Sequence, residues 1–362
     1  MKIAVLGAGH GGCAVAAEMA LLDHEVSLFD FESFPLNIGA IAEQGGIECS
    51  GKLNGFARLL YAGFDIEKTL EGAEVIFVVA PAYSIDIFAK AVKPFIKPEQ
   101  LVCICPSSCG GAIVFKRGLG VELDSDKHVV SETSTLPYAV RAYEPGKINV
   151  YHKLTGGVYF AALPAKKAKN AFHTFQTLYP YAVHANSLLM TMLQTGNNII
   201  HPSITLLNAA RIESTNGEFY FYEDGATASV GKLIKALDDE KMQLNKVLDA
   251  GLIPDVKVKI LQEYNVEESY ESGYKTAPGF KGIMAQTQLD HRYFNEDVGY
   301  GLVFISELSK QVGLKTPICD ALILLVSAIM QRDYRKEGLL TPKTLGIENL
   351  CADELKSLFK QK

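Results

Sequence analysis

The chain has 362 residues and a net charge of −6, with 48% hydrophobic and 21% charged residues. That is enough for two domains and a sizeable core, in the composition of a soluble globular enzyme. The acidic balance argues against a nucleic-acid surface. No apolar run approaches a membrane span, and the longest candidate, at 321–330, reads as a buried helix. The seven cysteines are odd in number and scattered, which fits reduced thiols in the cytoplasm.

An apolar run, Ile3 to Leu6, leads into Gly7-x-Gly9-x-x-Gly12, with His10 inside the turn. Small residues follow (Ala14, Val15, Ala16, Ala17, Ala20), then a second strand at 25–29 that ends at Asp30. Strand, glycine turn, helix, strand and acid together form the dinucleotide fingerprint. Gly7 permits the tight turn, Gly9 lets the backbone approach a pyrophosphate, and Gly12 lets helix and strand pack closely. Free N–H groups and the dipole at the helix N-terminus favour the anion. A secretory signal would also open on Lys2 and an apolar stretch. Here four glycines and His10 interrupt the stretch, and cleavage would remove the first strand. Asp30 bears on the choice of cofactor. A carboxylate there accepts from both ribose hydroxyls and repels a 2′-phosphate. Residues 31–34 bring no Arg or Lys to hold one, so NAD is expected over NADP.

Strand and helix alternate to about residue 185. The Gly-rich stretch 45–55 holds short strand candidates. Residues 74–80 are the near-continuous apolar run of a buried parallel strand, ending at Pro81. A helix is expected over 85–96, a strand at 101–105, a turn at 106–111, and short strands at 129–131 and 158–163. Ligands in such sheets bind outside the carboxyl ends of the strands. Pro81 and the turn after Cys105 should therefore line the cofactor cleft. Cys103, Cys105 and Cys109 match no zinc spacing and read as core-lining thiols, so no metal site is expected.

From about residue 186 the strand signals stop. Helices are expected at 201–214, 228–250, 256–264, 297–312 and 317–332. The fourth carries Val298, Leu302, Ile305, Leu308 and Val312 on one face. The fifth is apolar almost all round and is expected at the centre of its domain. The division is a Rossmann-type NAD-binding domain at 1–185 and an all-helical substrate domain at 186–362, an α/β fold with an α-helical addition. Substrate would bind in the cleft between two such domains.

Hydride chemistry at a C–O or C–N centre needs a proton donor and acceptor near neutrality, and histidine fits. Five of the eight histidines lie in expected loops or helix ends, and His10 shapes the glycine turn. His201 differs: it stands in Gly196-Asn197-Asn198-Ile199-Ile200-His201-Pro202, where the second domain begins. Pro202 can be the first residue of a helix, holding His201 at its mouth. A hydrogen-bonded core histidine is the plainer alternative. The second cluster is Asp290-His291-Arg292-Tyr293-Phe294-Asn295-Glu296-Asp297. By itself it also fits a solvated turn whose acids favour the next helix N-terminus.

The pairing of Asn197-Asn198-x-x-His201-Pro202 with Arg292-Tyr293-x-x-Glu296-Asp297-Val298-x-x-Gly301-Leu302 resembles the opine dehydrogenase family, of octopine/nopaline type. Gly45-Gly46-Ile47 with Gly51 and Gly55, residues 132–138 with Arg141, and Ala161-Ala162-Leu163-Pro164 are similar too, so the resemblance spans nearly the whole chain. It implies NAD-dependent coupling of an amino acid to a 2-oxo acid such as pyruvate, giving a secondary amine dicarboxylate. It implies His201 as the acid/base, Asp297 as its paired carboxylate, and Arg292 as the anchor of the oxo-acid carboxylate. A guanidinium fork suits such a ligand. Glu132 matches a position that contacts the amino acid, and Asn198 completes the expected substrate-binding set. The expected cofactor-binding set is Gly7, Gly9, His10, Gly12, Asp30 and Pro81. The chain departs from members with GxGNGG by carrying His10. It lacks tryptophan, so an aromatic wall for an arginine donor would have to come from Tyr or Phe. The implied partners are small molecules, with no nucleic acid and no membrane, and a homodimer is the assembly considered.

Two other readings remain at this point. A dehydrogenase acting on a hydroxyl group, of ketopantoate reductase or hydroxyacid dehydrogenase type, would share the Rossmann part. Dependence of NADH oxidation on an added amino acid separates the two. An NAD(H)-binding regulator would have no need of His201, Arg292 and Asp297 together.

Overall fold

The structure is a computed structural model describing residues 1–107 and 109–361. Ser108, in the turn expected to line the cofactor cleft, lies outside the described residues. The chain divides into two compact units. The first holds Met1–Leu154, Val158–Thr191 and Gln361, and the second holds Thr155–Gly157 and Met192–Lys360. The sequence expectation was a division at 185.

The first unit is built on an eight-stranded sheet. In chain order its strands are β1 (Lys2–Leu6), β2 (Glu25–Phe29), β5 (Tyr61–Gly63), β6 (Val75–Val78), β7 (Leu101–Ile104), β8 (Val130–Thr133), β11 (Tyr159–Leu163) and β12 (Val183–His184). A second sheet comprises β3 (Gly46–Gly51), β4 (Gly55–Arg58), β9 (Tyr138–Glu144) and β10 (Lys147–Lys153). The large sheet runs β12-β11-β8-β7-β6-β1-β2-β5. Strand β1 lies between β2 and β6, parallel to both, with Ile3 opposite Val26 and Val75. The order reverses at β1, and the glycine turn leaves from its carboxyl end, where ligands of open α/β sheets bind. Among the described residues the only antiparallel pairing in this sheet is β8 with β11.

Helix α1 (His10–Leu21) follows the glycine turn and is buried from Gly12 to Met19. A helix apolar all round needs cover all round. The large sheet covers one side and the β4-β3-β10-β9 sheet contributes Ile47, Ala57, Val140, Ile148 and Val150 to the same core. Sequence reasoning placed strands near 45–55 but missed the hairpin of β9 and β10. Its signal was present: Tyr138, Val140, Ile148 and Val150 alternate inward on either side of Pro145-Gly146. Glu18 is the one charged residue buried on α1. It meets the Lys153 ammonium and the Tyr138 phenol, and that phenol stands 2.8 Å from the Tyr179 hydroxyl. Cys103, Cys105 and Cys109 are buried, as core-lining thiols should be.

The second unit is helical. Its main elements are α2 (Asn197–Leu207), α3 (Ala209–Thr215), α4 (Ala228–Leu248), α5 (Asp255–Leu261), α6 (Arg292–Asn295), a π-helical turn (Asp297–Leu302), α7 (Val303–Gln311) and α8 (Pro317–Met330). Three expectations change. The helix expected over 201–214 is two helices, and Pro202 lies inside α2 rather than at its start. The Ser203 hydroxyl bonds back to the Ile199 carbonyl at 2.6 Å beside the proline, an adjustment that bends helices. The helix expected over 297–312 starts with a π turn. Finally, α8 buries only Cys319, Leu322, Ile323 and Val326, while Leu324 and Leu325 are 70% and 53% exposed. Apolar content alone did not decide burial, because neighbours α4 and α7 cover one face. Among the described residues no helix is long and apolar enough to cross a membrane.

Candidate active site

The glycine turn tests itself as a cofactor cradle. Gly7 has φ +104°, and a Cβ there would stand 2.4 Å from the Val79 carbonyl oxygen. A Cβ on Gly12 would stand 1.7 Å from the Gly7 oxygen. The protein's own packing demands both glycines. Gly9 is different, because a Cβ on it would meet nothing within 4 Å. That open space is what the middle glycine of the fingerprint would leave for a pyrophosphate. Gly9 also caps α1 without any side-chain hydrogen bond, and the helix N-terminus is left to favour an anion. His10 is the exposed first residue of that helix.

Asp30, at the end of β2, ties the turn to the sheet. Its Oδ2 accepts from the Ala8 N–H at 2.7 Å and its Oδ1 from the Phe31 N–H at 2.8 Å. Burial pushes its pKa above the usual value, and the two N–H groups oppose that. Each oxygen keeps a further lone pair for a ribose hydroxyl. Pro81 follows β6 in extended conformation, two residues past Val79, whose carbonyl closes on Gly7. These groups fit a dinucleotide.

In the second unit, His201 on α2 and Asp297 at the start of the π turn meet across 96 residues of chain. Nδ1 stands 2.8 Å from Asp297 Oδ2, and Nε2 stands 3.0 Å from the Tyr222 hydroxyl. The Tyr293 ring stacks on the imidazole at 4.0 Å between centroids. The fit of α2 on the π turn depends on Gly301. A Cβ there would fall 2.3 Å from the Asn198 side chain, so the glycine is the slot that receives Asn198. Burial is the chief influence on His201 and lowers its pKa. The Asp297 charge and hydrogen bond raise it, and the Arg292 and Lys259 charges lower it. The net direction is down from 6.5, which favours the neutral ring. Asp297 then accepts from Nδ1–H, and Nε2 keeps the lone pair.

The other expected residues fall as follows. Arg292 begins α6 with its side chain 53% exposed, and its guanidinium pairs with Glu296 at 3.0 Å. Asn198 is buried against the π turn. Glu132, on β8 in the first unit, is fully buried. Its Oε2 accepts from the Ala112 N–H at 2.9 Å and its Oε1 from the Thr191 hydroxyl at 2.6 Å. Burial pushes it up to about 7. Sequence reasoning missed Tyr222, Tyr293 as a stacking partner, and Lys259. Tyr293 lay inside the quoted motif, whereas Tyr222 and Lys259 carried no local signal. Among the described residues no cluster of three His, Cys, Asp or Glu side chains could hold a metal ion.

A nucleotide cradle on a Rossmann-type sheet, joined in one chain to a helical unit carrying a buried histidine–carboxylate pair, defines an NAD-dependent oxidoreductase. Residues 184–330 match the family described as NAD/NADP octopine/nopaline dehydrogenase, alpha-helical domain. Residues 2–107 match the N-terminus of NAD-dependent glycerol-3-phosphate dehydrogenase. The opine dehydrogenase of Arthrobacter sp. (strain 1C) is 35% identical over 98% of this chain and 97% of its own. The octopine dehydrogenase of Pecten maximus is 23% identical over 95% and 94%. A structure of octopine dehydrogenase with NADH and L-arginine superposes with a TM-score of 0.78 at 18% identity, covering 99% of this chain and 98% of the other. The chain belongs to the opine dehydrogenase family, oxidoreductases that act on CH–NH donors with NAD.

Proposed function

We propose that the protein condenses the amino group of an amino acid with a 2-oxo acid of pyruvate type and reduces the imine with NADH, and that it runs the reverse oxidation. The observation that carries this reading is the buried His201–Asp297 pair, with Nδ1 on the carboxylate and Nε2 on the Tyr222 hydroxyl. NADH supplies the hydride when bound. The chain's own residues do the rest. Arg292 grips the oxo-acid carboxylate through its fork, exchanging part of its bond to Glu296 for the ligand. His201 Nε2 takes a proton from the donor's ammonium, and the freed amine nitrogen attacks the carbonyl carbon while one of its own protons passes to the carbonyl oxygen. His201 returns its proton to the departing hydroxyl, so that water leaves and a protonated C=N forms. In oxidation His201 Nε2 takes the proton from the secondary amine as hydride departs. Asp297 holds the ring in the tautomer that leaves Nε2 free to do so. Asn198 seats α2 on the π turn and keeps His201 in place. Glu132, buried as it is, supports the start of the helix at Gly111–Leu119 through the Ala112 N–H in this reading.

The cytoplasm and a homodimer complete the reading. Support for the first is that none of the seven cysteines among the described residues forms a disulfide. Support for the second is the outward apolar stripe of α8, with Leu324, Leu325 and Ile329 exposed. Sedimentation velocity decides the dimer. The activity is tested by NADH oxidation with pyruvate against the standard amino acids. Oxidation that proceeds with the oxo acid alone, at the same rate with or without an amino acid, would overturn it.

A further inference from the structure

One buried cation near His201 has no part in the chemistry above. Lys259, on α5, is 6% exposed. Its ammonium carries three donors. One reaches Gln262 Oε1 at 3.1 Å, and the group stands 5.4 Å from the centre of the Tyr264 ring. It forms no ion pair with any described carboxylate. Burial lowers its pKa, the Asp255 charge opposes that without an ion pair, and the Oδ2 of that carboxylate accepts from the Tyr274 hydroxyl at 2.7 Å. A buried ammonium without a paired anion is costly. A chain that keeps one beside its candidate site is short of an acceptor there.

The surroundings say where the acceptor would come from. Tyr264 stacks on Phe280 at 4.7 Å, Phe280 stacks on Tyr222 at 4.1 Å, and the Tyr222 hydroxyl reaches His201 Nε2 at 3.0 Å. A continuous wall of three rings runs from the cation to the base. The Lys259 charge is felt at His201 without contact between them. A group on the reacting carbon has to lie against Nε2, which places it at the other end of the wall from Lys259. The end of a side chain, several bonds on, would run along the edges of these stacked rings toward the ammonium.

Resting on the opine-forming reading, we propose that Lys259 reads the far end of the amino donor, so that the preferred donor is an amino acid whose side chain ends in an anion. An arginine-like donor would bring a like charge to the same place.

The test is NADH oxidation with pyruvate and matched donors: glutamate against glutamine, aspartate against asparagine, and arginine. We expect kcat/KM for at least one acid to exceed that of its own amide by about 10- to 100-fold, the range for a hydrogen bond to a charged group, and arginine to be the poorest. In Lys259→Met that acid-to-amide ratio should collapse toward one, while Lys259→Arg should keep most of it. A wild type that prefers both amides or arginine, or a ratio that persists in Lys259→Met, overturns the proposal. Should Lys259→Met fail to fold, the wild-type ratios decide alone. If no amino acid supports turnover, the opine reading falls and this goes with it; if neutral donors work and acids do not, this falls by itself.

Discussion

The Tyr222 hydroxyl stands 3.0 Å from His201 Nε2, while Asp297 meets the other ring nitrogen, Nδ1. A phenol that donates there favours the neutral ring. In Tyr222→Phe that support is lost, so the His201 pKa should rise. The acid-side limb of kcat/KM for opine oxidation should then move to higher pH by roughly half a unit, about one neutral hydrogen bond. A limb that does not move would mean the hydroxyl plays no part in the ring's protonation.

Asp297 acts in the opposite sense, because its charge and hydrogen bond raise the pKa of His201. Asp297→Asn should slow turnover and shift the same limb to lower pH. His201→Ala should lower turnover by ~10²–10⁴-fold with NADH affinity near normal. Asparagine is itself a good helix cap. Near-wild-type turnover in Asp297→Asn would therefore leave only a capping role for the carboxylate.

Arg292 keeps its charge but loses its fork in Arg292→Lys, which is not a mild change. The KM for the oxo acid should rise while the KM for NADH stays nearly constant. Unchanged oxo-acid kinetics in Arg292→Ala would remove Arg292 from the site.

Asp30 holds the Ala8 and Phe31 N–H groups, and we propose that it also takes the ribose hydroxyls. Asp30→Ala should weaken NADH binding and narrow the preference over NADPH. It should also lower stability by about 1–3 kcal/mol, since buried donors lose their acceptor. A wild type that works better with NADPH contradicts this role.

Glu132 has a folded-state pKa raised from 4.5 to about 7 by burial. A raised carboxyl pKa means stability that is full below pH 4.5 and lost as pH climbs through about 7. The loss is on the order of 3 kcal/mol. Glu132→Gln cannot ionise, so its melting temperature should fall less than that of the wild type between pH 5 and pH 8. Parallel curves for the two proteins would show that Glu132 does not titrate in the folded state over this range.

What could be read ahead of the structure follows from how local each constraint is. The glycine turn was legible because Gly7 and Gly12 answer to backbone atoms a few residues away or on the adjoining strand. The meeting of His201 and Asp297 was legible only from two motifs taken together, because nothing in either stretch alone separates a paired histidine and carboxylate from a core histidine and a cap. Pro202 misled, since its commonest helical place is the first turn, while here it lies mid-helix beside the Ser203 back-bond. Lys259 reads in sequence as one of two lysines on an ordinary helix, and only tertiary burial sets it apart from Lys257.

The π turn at Asp297–Leu302 amounts to one residue more than an α-helix would hold in the same length. Deleting a single residue after Asp297 would let the segment close into a regular helix. Relative to α7 it would also swing Asp297 around the axis by roughly 100°, carrying the carboxylate away from His201. The pairing is therefore written in register as much as in residue type. An engineer who straightened this helix for stability could keep every side chain named above and still part Asp297 from His201, and an alignment that drops a gap here would match the residues and lose the pair.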